Sequence, residues 1–549
     1  MTITSNDGKS HAWTQLFLYS PVLIAILVML PRLLSPQFGL FDDGRTLVTA
    51  QTLTSGTWYT GKDSIEGRFR PIHWLWFSVL YLLDGANPFW FFIGNMLALA
   101  FVTWGIIFLV RKAGGSCLQA WLAGAVFVLA GPIPETFFSL KGEVHQSVFL
   151  MLALLSMLPY SKSQSRWQKA GALVLSAMAV LLANFSKETS VVLLPISVTW
   201  YALVRFIPGY GKESDRRDRY GAFAFANIIA VIVFFIIRTW VISMQVNTGT
   251  YTQRYAIDFG QILQSVVRWG GWLVRDFFWV VPLLLAALLL IASRRKIQSV
   301  LLLESFVWMG AWMGIYLPWN FMAEYYMLPF TMGLAVFASA LVVEIIPAVR
   351  DHGWRRLSSL TALGLSLLFF IGSLFNTLTN ARVQLVVDES NAHMMTEVAR
   401  SAAPNSLILV NFQDFTEYVA EMQTQFETLY GRPDLRVEMI NPEETIPDAG
   451  GDTYIVAASV NNQPLLTVRM GVVEEAQGIW NERLKEFLQA NDNWKSVYEA
   501  MRTFRLSDVN YPRLFCPFIK TRAFCATPAP LVDTRPFTYG WTIYKLENP

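Results

Sequence analysis

The chain has 549 residues, of which 54% are hydrophobic and 15% are charged, and its formal net charge is +3. Together with repeated apolar runs of about 20 residues, this composition excludes a soluble globular protein and predicts a polytopic membrane protein. The net charge is small, and basic residues gather in short connections between apolar runs rather than on one face. Both observations argue against nucleic acid as a partner.

Apolar segments follow one another through the first two thirds of the chain, and we expect about eleven transmembrane helices. Their expected starts lie near Leu16, Pro88, Leu118, Val144, Ala170, Val191, Ala222, Trp269, Val300, Tyr326 and Ser358. Every second connection is basic, as in Arg111 with Lys112, which places these connections and the amino terminus in the cytoplasm. An odd number of spans then puts the carboxyl-terminal region outside. The first apolar segment lacks a small-residue cleavage site, so we expect it to be retained.

The first outer loop, over about residues 35 to 88, is long and carries adjacent acids. Its FDDGR sequence places Asp42 and Asp43 shortly after the first span. An apolar stretch at residues 72–83 is too short to cross a bilayer comfortably. We therefore expect this stretch to lie in the membrane interface, with Trp74 and Trp76 at headgroup depth.

After residue 376 the composition becomes mixed and polar. This change predicts a membrane domain over residues 1–376 and an extracytoplasmic α/β domain over residues 377–549. Strand composition at 407–412 and 453–460, and helical spacing at 415–430 and 474–489, support the α/β class.

The α/β domain shows no catalytic set of residues, and we expect it to cover the cavity of the site or to help select an acceptor. Asp414, Glu417 and Glu421 share one helix face, a pattern typical of a solvated surface. Cys516 and Cys525 are spaced to close a short loop, and we expect a disulfide between them outside the cytoplasm. Zinc is the weaker alternative, because further ligands at metal spacing are missing.

Several motifs occur in the order seen in membrane glycosyltransferases of the GT-C class. They are FDD, GRFRP, NPFWFFIGNMLAL, PIPETFFSLKGE, NFSKETSVVLLP and FMAEYYMLP. Over about residues 15 to 345 the chain most resembles the protein O-mannosyltransferase branch that carries tetratricopeptide repeats, and its bacterial relatives. The repeats are absent here, so the acceptor is not carried over, and Tyr325 stands where the family usually has arginine. The WWDYG signature of oligosaccharyltransferases is also absent, which disfavours transfer of a preassembled glycan to asparagine.

The resemblance implies inverting transfer of a single sugar from a polyprenyl-phosphate donor to a hydroxyl on the outer face. Asp42 matches the family's base, which takes the proton of the hydroxyl as it attacks the anomeric carbon. Asp43 follows it. At a helix start the two side chains diverge by about 100°, and their proximity is expected to raise one pKa. The alternative is that Asp42 or Asp43 caps the helix that runs on from Gly44.

A lipid-phosphate leaving group is stabilised by fixed positive charge, and Lys187 and Arg70, with Arg68 nearby, are the candidates. The alternatives are that Lys187 pairs with Glu188 or extends to the interface, and that the two arginines contact headgroups.

The second outer loop holds four candidate polar residues, Glu135, Lys141, Glu143 and His145. We expect this cluster to bind the donor sugar or to position Asp42 through a salt bridge, and structural pairing within the cluster is the alternative. Since no further histidine stands at ligand spacing, we expect no obligatory metal.

Glu324 and Tyr325 are expected to reach the cavity from the far end of the membrane domain, with helix-end pairing as the alternative.

The expected partners are membrane lipids, the polyprenyl-phosphate sugar and a glycan, lipid or protein acceptor, and the expected location is a bacterial inner membrane. The alternative function is non-enzymatic, either a carrier or flippase of lipid-linked glycans or a scaffold whose charges bind headgroups. The lack of internally repeated halves favours the transferase.

Overall fold

A computed structural model describes residues 7–57, 68–160, 165–207, 214–243, 258–293, 300–319, 323–411, 416–440, 452–462, 474–515 and 531–547. Most of these residues are helical, and a five-stranded sheet lies in the carboxyl-terminal part. The predicted disulfide between Cys516 and Cys525 lies outside the described residues, and so does Asp414.

Fifteen α-helices come before the sheet in the described residues. They are α1 (Asp7–Leu34), α2 (Asp43–Thr54), α3 (Pro71–Asp84), α4 (Pro88–Lys112), α5 (Cys117–Val128), α6 (Pro132–Phe137), α7 (Gly142–Ser156), α8 (Arg166–Ser186), α9 (Leu193–Phe206), α10 (Ser214–Ser243), α11 (Phe259–Phe277), α12 (Val280–Ala292), α13 (Val300–Tyr316), α14 (Leu328–Ile345) and α15 (Trp354–Ser401). Short 3₁₀ helices lie at Glu188–Val192, Glu324–Met327, Ile346–Arg350 and Tyr511–Phe515. Local sequence determines several starts: Asn87 caps α4 ahead of Pro88, and Ser165 begins α8 with a capping box.

Seven helical segments among the described residues are long and apolar enough to cross a membrane, which makes the chain an integral membrane protein. They are Trp13–Leu34, Pro88–Lys112, Arg166–Ser186, Glu188–Phe206, Arg216–Val241, Glu324–Arg350 and Trp354–Ser401. The pair α11 and α12, bent by 93°, raises the count to eight if it forms one span. The expected count of about eleven is not confirmed. A helix stands at each expected start, but α5 has only 12 residues and extends about 18 Å, short of the roughly 30 Å of hydrocarbon.

The apolar stretch of the first loop forms α3, a helix of 14 residues. Leu75, Val79 and Leu82 are exposed along this helix, as a membrane interface requires. Trp74, however, is only 3% exposed, and its ring packs edge-on against Phe69 with centroids 6.2 Å apart. The Trp74 ring therefore packs against protein, and its headgroup depth stays a prediction.

The carboxyl-terminal part contains β1 (Leu407–Asn411), α16 (Thr416–Thr428), β2 (Arg436–Met439), β3 (Thr453–Asn461), α17 (Glu474–Ala490), β4 (Trp494–Arg505) and β7 (Pro536–Leu546), with a separate pair β5 (Asp508–Val509) and β6 (Val532–Asp533). The five-stranded sheet has the strand order β2-β1-β3-β7-β4. Strand β1 is parallel to β2 and β3, whereas β7 is antiparallel to β3 and β4. The predicted α/β class is confirmed, and so are the two predicted strands and two predicted helices.

Helices cover both faces of this sheet because successive side chains of a strand point to opposite faces. Leu407 and Leu409 pack with Leu484 of α17, while Ile408 packs in a second core with Met422 of α16.

Helix α15 joins the membrane part to the sheet. Its 48 residues run without a break through residue 376, so the boundary predicted there falls inside a helix, and the division at this residue stays a prediction. Beyond residue 376, Val383, Val387 and Met394 of α15 belong to the second sheet core. Leu40, from the loop before α2, belongs to the same core.

A buried ion pair ties α1 to α15. Arg32, which is fully buried, pairs with Asp388, and its Nε donates to Phe138 O at 3.1 Å. Its guanidinium also lies 4.5 Å from the centre of the Phe92 ring. Removing one partner of such a pair leaves a desolvated charge without compensation.

We expect Asp388→Asn to destabilise the protein by about 3–5 kcal/mol, because Arg32 then stays buried opposite a neutral side chain. Chemical unfolding of the detergent-solubilised protein measures this loss. Glu397→Gln is the matched control, because its pair with Arg400 lies on the exposed surface of the same helix, and it should leave the unfolding midpoint unchanged. Equal midpoints for both variants would contradict the structural role of the Arg32 pair.

Candidate active site

Asp42 lies directly before α2, in the loop that follows α1. Its backbone is left-handed, with φ 69°, a conformation that aspartate tolerates better than most residues. Its side chain makes no capping hydrogen bond to α2, so the alternative in which Asp42 caps this helix is wrong. Since 40% of the side chain is exposed, Asp42 presents an accessible carboxylate.

Lys141, the residue before α7, holds the Asp42 carboxylate. Its Nζ lies 2.7 Å from Asp42 Oδ2 and donates to Phe41 O at 3.1 Å. The ammonium is also 4.1 Å from the centre of the Phe41 ring and 5.0 Å from that of Tyr325. The expected salt bridge between the second loop and Asp42 is confirmed, and its cation is almost completely buried.

The pKa of Asp42 is determined by neighbouring cations. Burial among protein atoms by itself raises this pKa, but the charge and hydrogen bond of Lys141, assisted by Arg45 and Arg68, hold it well below its usual range. Of the two adjacent acids, Asp42 is therefore not the one whose pKa is raised. The carboxylate is ionised at neutral pH, which is the state a proton acceptor requires.

Asp43 has a different environment. It is fully buried, and its oxygens accept hydrogen bonds from Gly39 N at 2.8 Å and from Leu140 N at 3.0 Å. This single carboxylate thereby joins the loop before α2 to the loop that carries Lys141. The catalytic role of Asp43 stays a prediction, and its burial between backbone donors favours a structural role.

A second ion pair lies beside the first. Lys187, at the end of α8, pairs with Glu143 in the first turn of α7. Lys187 Nζ is 4.1 Å from the centre of the Tyr326 ring and 5.6 Å from that of Tyr325. The Tyr325 ring therefore lies within cation–π distance of both lysines. The alternative pairing of Lys187 with Glu188 is wrong.

Glu188 instead orders the segment that carries Arg68 and Arg70. Its Oε1 accepts hydrogen bonds from Phe69 N at 3.0 Å and from Arg238 Nε of α10 at 2.9 Å. The bond to Phe69 fixes the backbone between the two arginines and brings them to the end of α8.

Four cations lie near Asp42 and the end of α8. Arg68 and Arg70 are close enough to Lys187 to act on it electrostatically, and Lys141 contacts Asp42. Next to Lys187 is a cavity of about 250 Å³. Its polar lining is Lys187, Glu188, Thr189 and Arg238, and its apolar lining is Val191, Phe234, Phe235, Ile315, Tyr316, Trp319 and Tyr326. Cations beside an apolar cavity suit an anionic group on an apolar chain.

Glu135 and Glu324 are buried in contacts with other helices. Glu135 Oε2 accepts a hydrogen bond from Gln384 Nε2 of α15 at 2.6 Å. Glu324 Oε1 lies 2.5 Å from Arg275 Nη2 of α11. The Glu324 contact agrees with the pairing alternative for that acid, whereas Glu135 bonds to a residue outside the cluster in which pairing was the alternative. Donor binding by either acid stays a prediction.

His145 lies inside a cluster of rings. It is fully buried, with its ring centroid 5.1 Å from that of His73 and 5.9 Å from that of Trp76. This packing favours a structural role for His145 and turns Trp76 towards the protein. Within the described part of the chain, no group of three or more His, Cys, Asp or Glu residues is placed to hold a metal ion. That the protein needs no metal stays a prediction.

The predicted site residues did not include Arg238, Arg275 or Gln384, and Glu421 was predicted on a solvated face. Each missed residue contacts a predicted site residue that is far along the chain, as with Glu135 and Gln384 at a separation of 249 positions, so no spacing signal links them. The solvated face expected for Glu421 is wrong, because this side chain is 1% exposed and contacts α2.

The fold is similar to those of solved membrane glycosyltransferases. ArnT from Cupriavidus metallidurans in the apo state gives a TM-score of 0.51 at 14% identity, over 98% of this chain and 100% of that chain. The same protein bound to undecaprenyl phosphate gives 0.49 at 14% identity, over 98% and 99%. The Archaeoglobus fulgidus oligosaccharyltransferase AglB, with an inhibitory peptide and a dolichol-phosphate, gives 0.47 at 10% identity, over 89% and 73%.

The first of these similarities extends over 98% of this chain and identifies the architecture as GT-C-like, and at 14% identity it identifies the fold alone. No protein-family model matches the sequence, and no curated protein matches it significantly. The comparisons do not confirm the narrower resemblance to the O-mannosyltransferase branch, which stays a prediction.

We expect Asp43→Asn to lower the free energy of unfolding by about 1–3 kcal/mol, because the amide group turns a donor towards one of two buried backbone N–H groups. Thermal or chemical unfolding of the solubilised protein measures this change. Asp84→Asn, at the exposed end of α3, is the control and should leave stability unchanged. If Asp43→Asn has no effect on the unfolding midpoint, the bridging role of this carboxylate is wrong.

Proposed function

We propose that the protein is a glycosyltransferase that moves a single sugar, with inversion, from a polyprenyl-phosphate donor to a hydroxyl of a glycan, lipid or protein. The observation that carries the proposal is the Asp42 carboxylate, which is accessible, ionised and held at 2.7 Å by the buried Lys141. It lies beside further cations and an apolar cavity, in a chain with a GT-C-like fold. The donor class follows from the sequence resemblance.

Asp42 acts as the base in this proposal. The acceptor hydroxyl donates a hydrogen bond to Asp42, and its proton passes to the carboxylate as its oxygen bonds to the anomeric carbon. The bond between the anomeric carbon and the phosphate oxygen breaks, and positive charge develops on the sugar as in an oxocarbenium ion. Because the hydroxyl attacks the face opposite the phosphate, the anomeric configuration inverts.

The leaving polyprenyl phosphate needs fixed positive charge more than it needs a proton. We assign Lys187, Arg68 and Arg70 to this phosphate, because cations ordered in advance stabilise developing negative charge without reorganisation. Glu143 holds Lys187, and Glu188 holds the backbone between the two arginines. The cavity beside Lys187 accommodates the first part of the apolar chain.

We also propose that the Asp42 end of the bundle faces away from the cytoplasm. Lys112 at the end of α4 and Arg216 and Arg219 at the start of α10 lie together around one pocket, and Arg205 lies in the last turn of α9. These are the opposite helix ends from those that carry Asp42 and its neighbours. By the positive-inside rule this arrangement supports a cytoplasmic amino terminus and an extracytoplasmic carboxyl-terminal domain, as in a bacterial inner membrane.

Asp42→Asn should reduce transfer by about 10²–10⁴-fold, because a positioned base contributes that much and the amide cannot accept the proton. The measurement is release of free polyprenyl phosphate from a panel of polyprenyl-phosphate sugars by purified protein, with membrane extract as the acceptor. Asp84→Asn serves as the exposed control, and size-exclusion profiles show whether each variant is folded.

Full activity in a folded Asp42→Asn variant would remove Asp42 as the base. No release by the wild type with any donor would favour the carrier or scaffold, for which Asp42→Asn should leave glycolipid binding or transport intact.

Lys141→Gln should move the acid limb of the kcat/KM profile to higher pH. The sign follows from the pKa of Asp42, which Lys141 lowers and burial raises, so removing the cation raises it and the ionised base is lost at a higher pH. Initial rates measured across a pH series locate the limb. Lys112→Gln, at the exposed carboxyl-terminal end of α4 and away from Asp42, is the control. Superimposed limbs for Lys141→Gln and wild type would show that Lys141 does not control ionisation of the base.

A further inference from the structure

Helix α16 of the carboxyl-terminal domain packs on the first turn of α2. Its Glu421 side chain is 1% exposed. Glu421 Oε2 accepts hydrogen bonds from Gly44 N at 2.8 Å and Arg45 N at 3.3 Å, while Oε1 lies 2.9 Å from Arg45 Nε. The first backbone N–H groups of a helix lack partners inside the helix, and a carboxylate is their favoured acceptor. Glu421 therefore supplies the cap that Asp42 does not.

A second contact from the same helix holds the other side of the Asp42 segment. Gln425 Nε2 donates to Gly39 O at 2.7 Å. The approach at Gly44 is close, since an added Cβ would lie 2.8 Å from Glu421 Oε2 and 3.1 Å from Gln425 Cγ. Glu421 and Gln425 thus hydrogen-bond to the backbone on both sides of Asp42.

Capping by a distant residue has a consequence for Asp42. An aspartate just before a helix would ordinarily turn its side chain back onto the N–H groups of the first turn. Because Glu421 occupies those groups, Asp42 keeps its left-handed backbone and turns its carboxylate to Lys141 and to the open side of the site.

We propose that Glu421, with Gln425, is a positioning residue through which the carboxyl-terminal domain sets the orientation of Asp42. This inference rests on the proposed function of Asp42 as base. It gives the domain a role inside the site, since the site is incomplete without α16.

The charge of Glu421 provides a readout of this role. Burial, with the nearby charges of Asp42 and Asp43, raises the pKa of Glu421 to about 8, and Arg45 opposes this effect. The carboxylate is therefore ionised well above that pH and carries a proton well below it. A glutamine resembles the protonated acid and lacks the ionised state.

The test compares Glu421→Gln with wild type in the polyprenyl phosphate release assay at about pH 6.5 and about pH 9, on either side of this pKa. We expect Glu421→Gln to lower kcat at least about tenfold at the higher pH, because a misplaced base reacts more slowly. At the lower pH the loss should be clearly smaller, and the donor KM should be unchanged at both. Glu421→Asp should recover part of the loss. Glu427→Gln is the matched control, because Glu427 is exposed on the same helix and bonds to Gln423.

Gly44→Ala probes the same contact from α2 and replaces Glu421→Gln if that variant is not monodisperse. We expect a similar loss of kcat, larger at the higher pH than at the lower, because the added methyl group displaces the Glu421 carboxylate. An equal loss of kcat at both pH values, or a kcat equal to that of Glu427→Gln, would overturn the positioning role.

Asp42→Asn in the same assay separates the two proposals. If it is active, the proposed base fails. If it is inactive while Glu421→Gln and Gly44→Ala match the control, only the positioning role fails.

Discussion

Charges buried at one end of the helical bundle must be paired, and this constraint determines how the membrane helices and the carboxyl-terminal domain meet. The Arg32 pair joins α1 to α15, the Lys187 pair joins α8 to α7, and the Glu324 pair joins the 3₁₀ helix before α14 to α11. In each case the two partners come from different elements. Losing one partner therefore costs both the stability of the fold and the geometry of the site.

Asp42 is the exception among these carboxylates, because it keeps an accessible surface while a buried cation holds it. Two other acids make this arrangement possible. Asp43 binds the backbone N–H groups of the loops on either side of the site, and Glu421 binds those at the start of α2. With the backbone satisfied by its neighbours, the Asp42 side chain is left for Lys141 and for a ligand.

Local sequence patterns predicted the coarse features of the fold. They failed where long-range packing determines the surroundings of a side chain. The FDD motif located the accessible acid, and strands lie at Leu407–Asn411 and Thr453–Asn461, where strand composition predicted them. The burial of Trp74 was not predicted, and it arises because the turn of α3 that carries it packs on the protein. Glu421 has the spacing of a solvated helix face, yet α2 covers that face. Residue spacing predicts neither the burial of Trp74 nor that of Glu421.

The sequence by itself determined that the chain is a helical membrane protein, that an acid pair follows its first span and that an α/β domain ends it. These features depend on run length and periodicity, which are local properties of the chain. Only the tertiary structure decided which residue of the second-loop cluster meets Asp42, namely Lys141, that Lys187 meets Glu143, and that Glu421, 377 positions from Gly44, caps α2. Electrostatic pairing and burial depend on distance in space, and only folding brings these residues together.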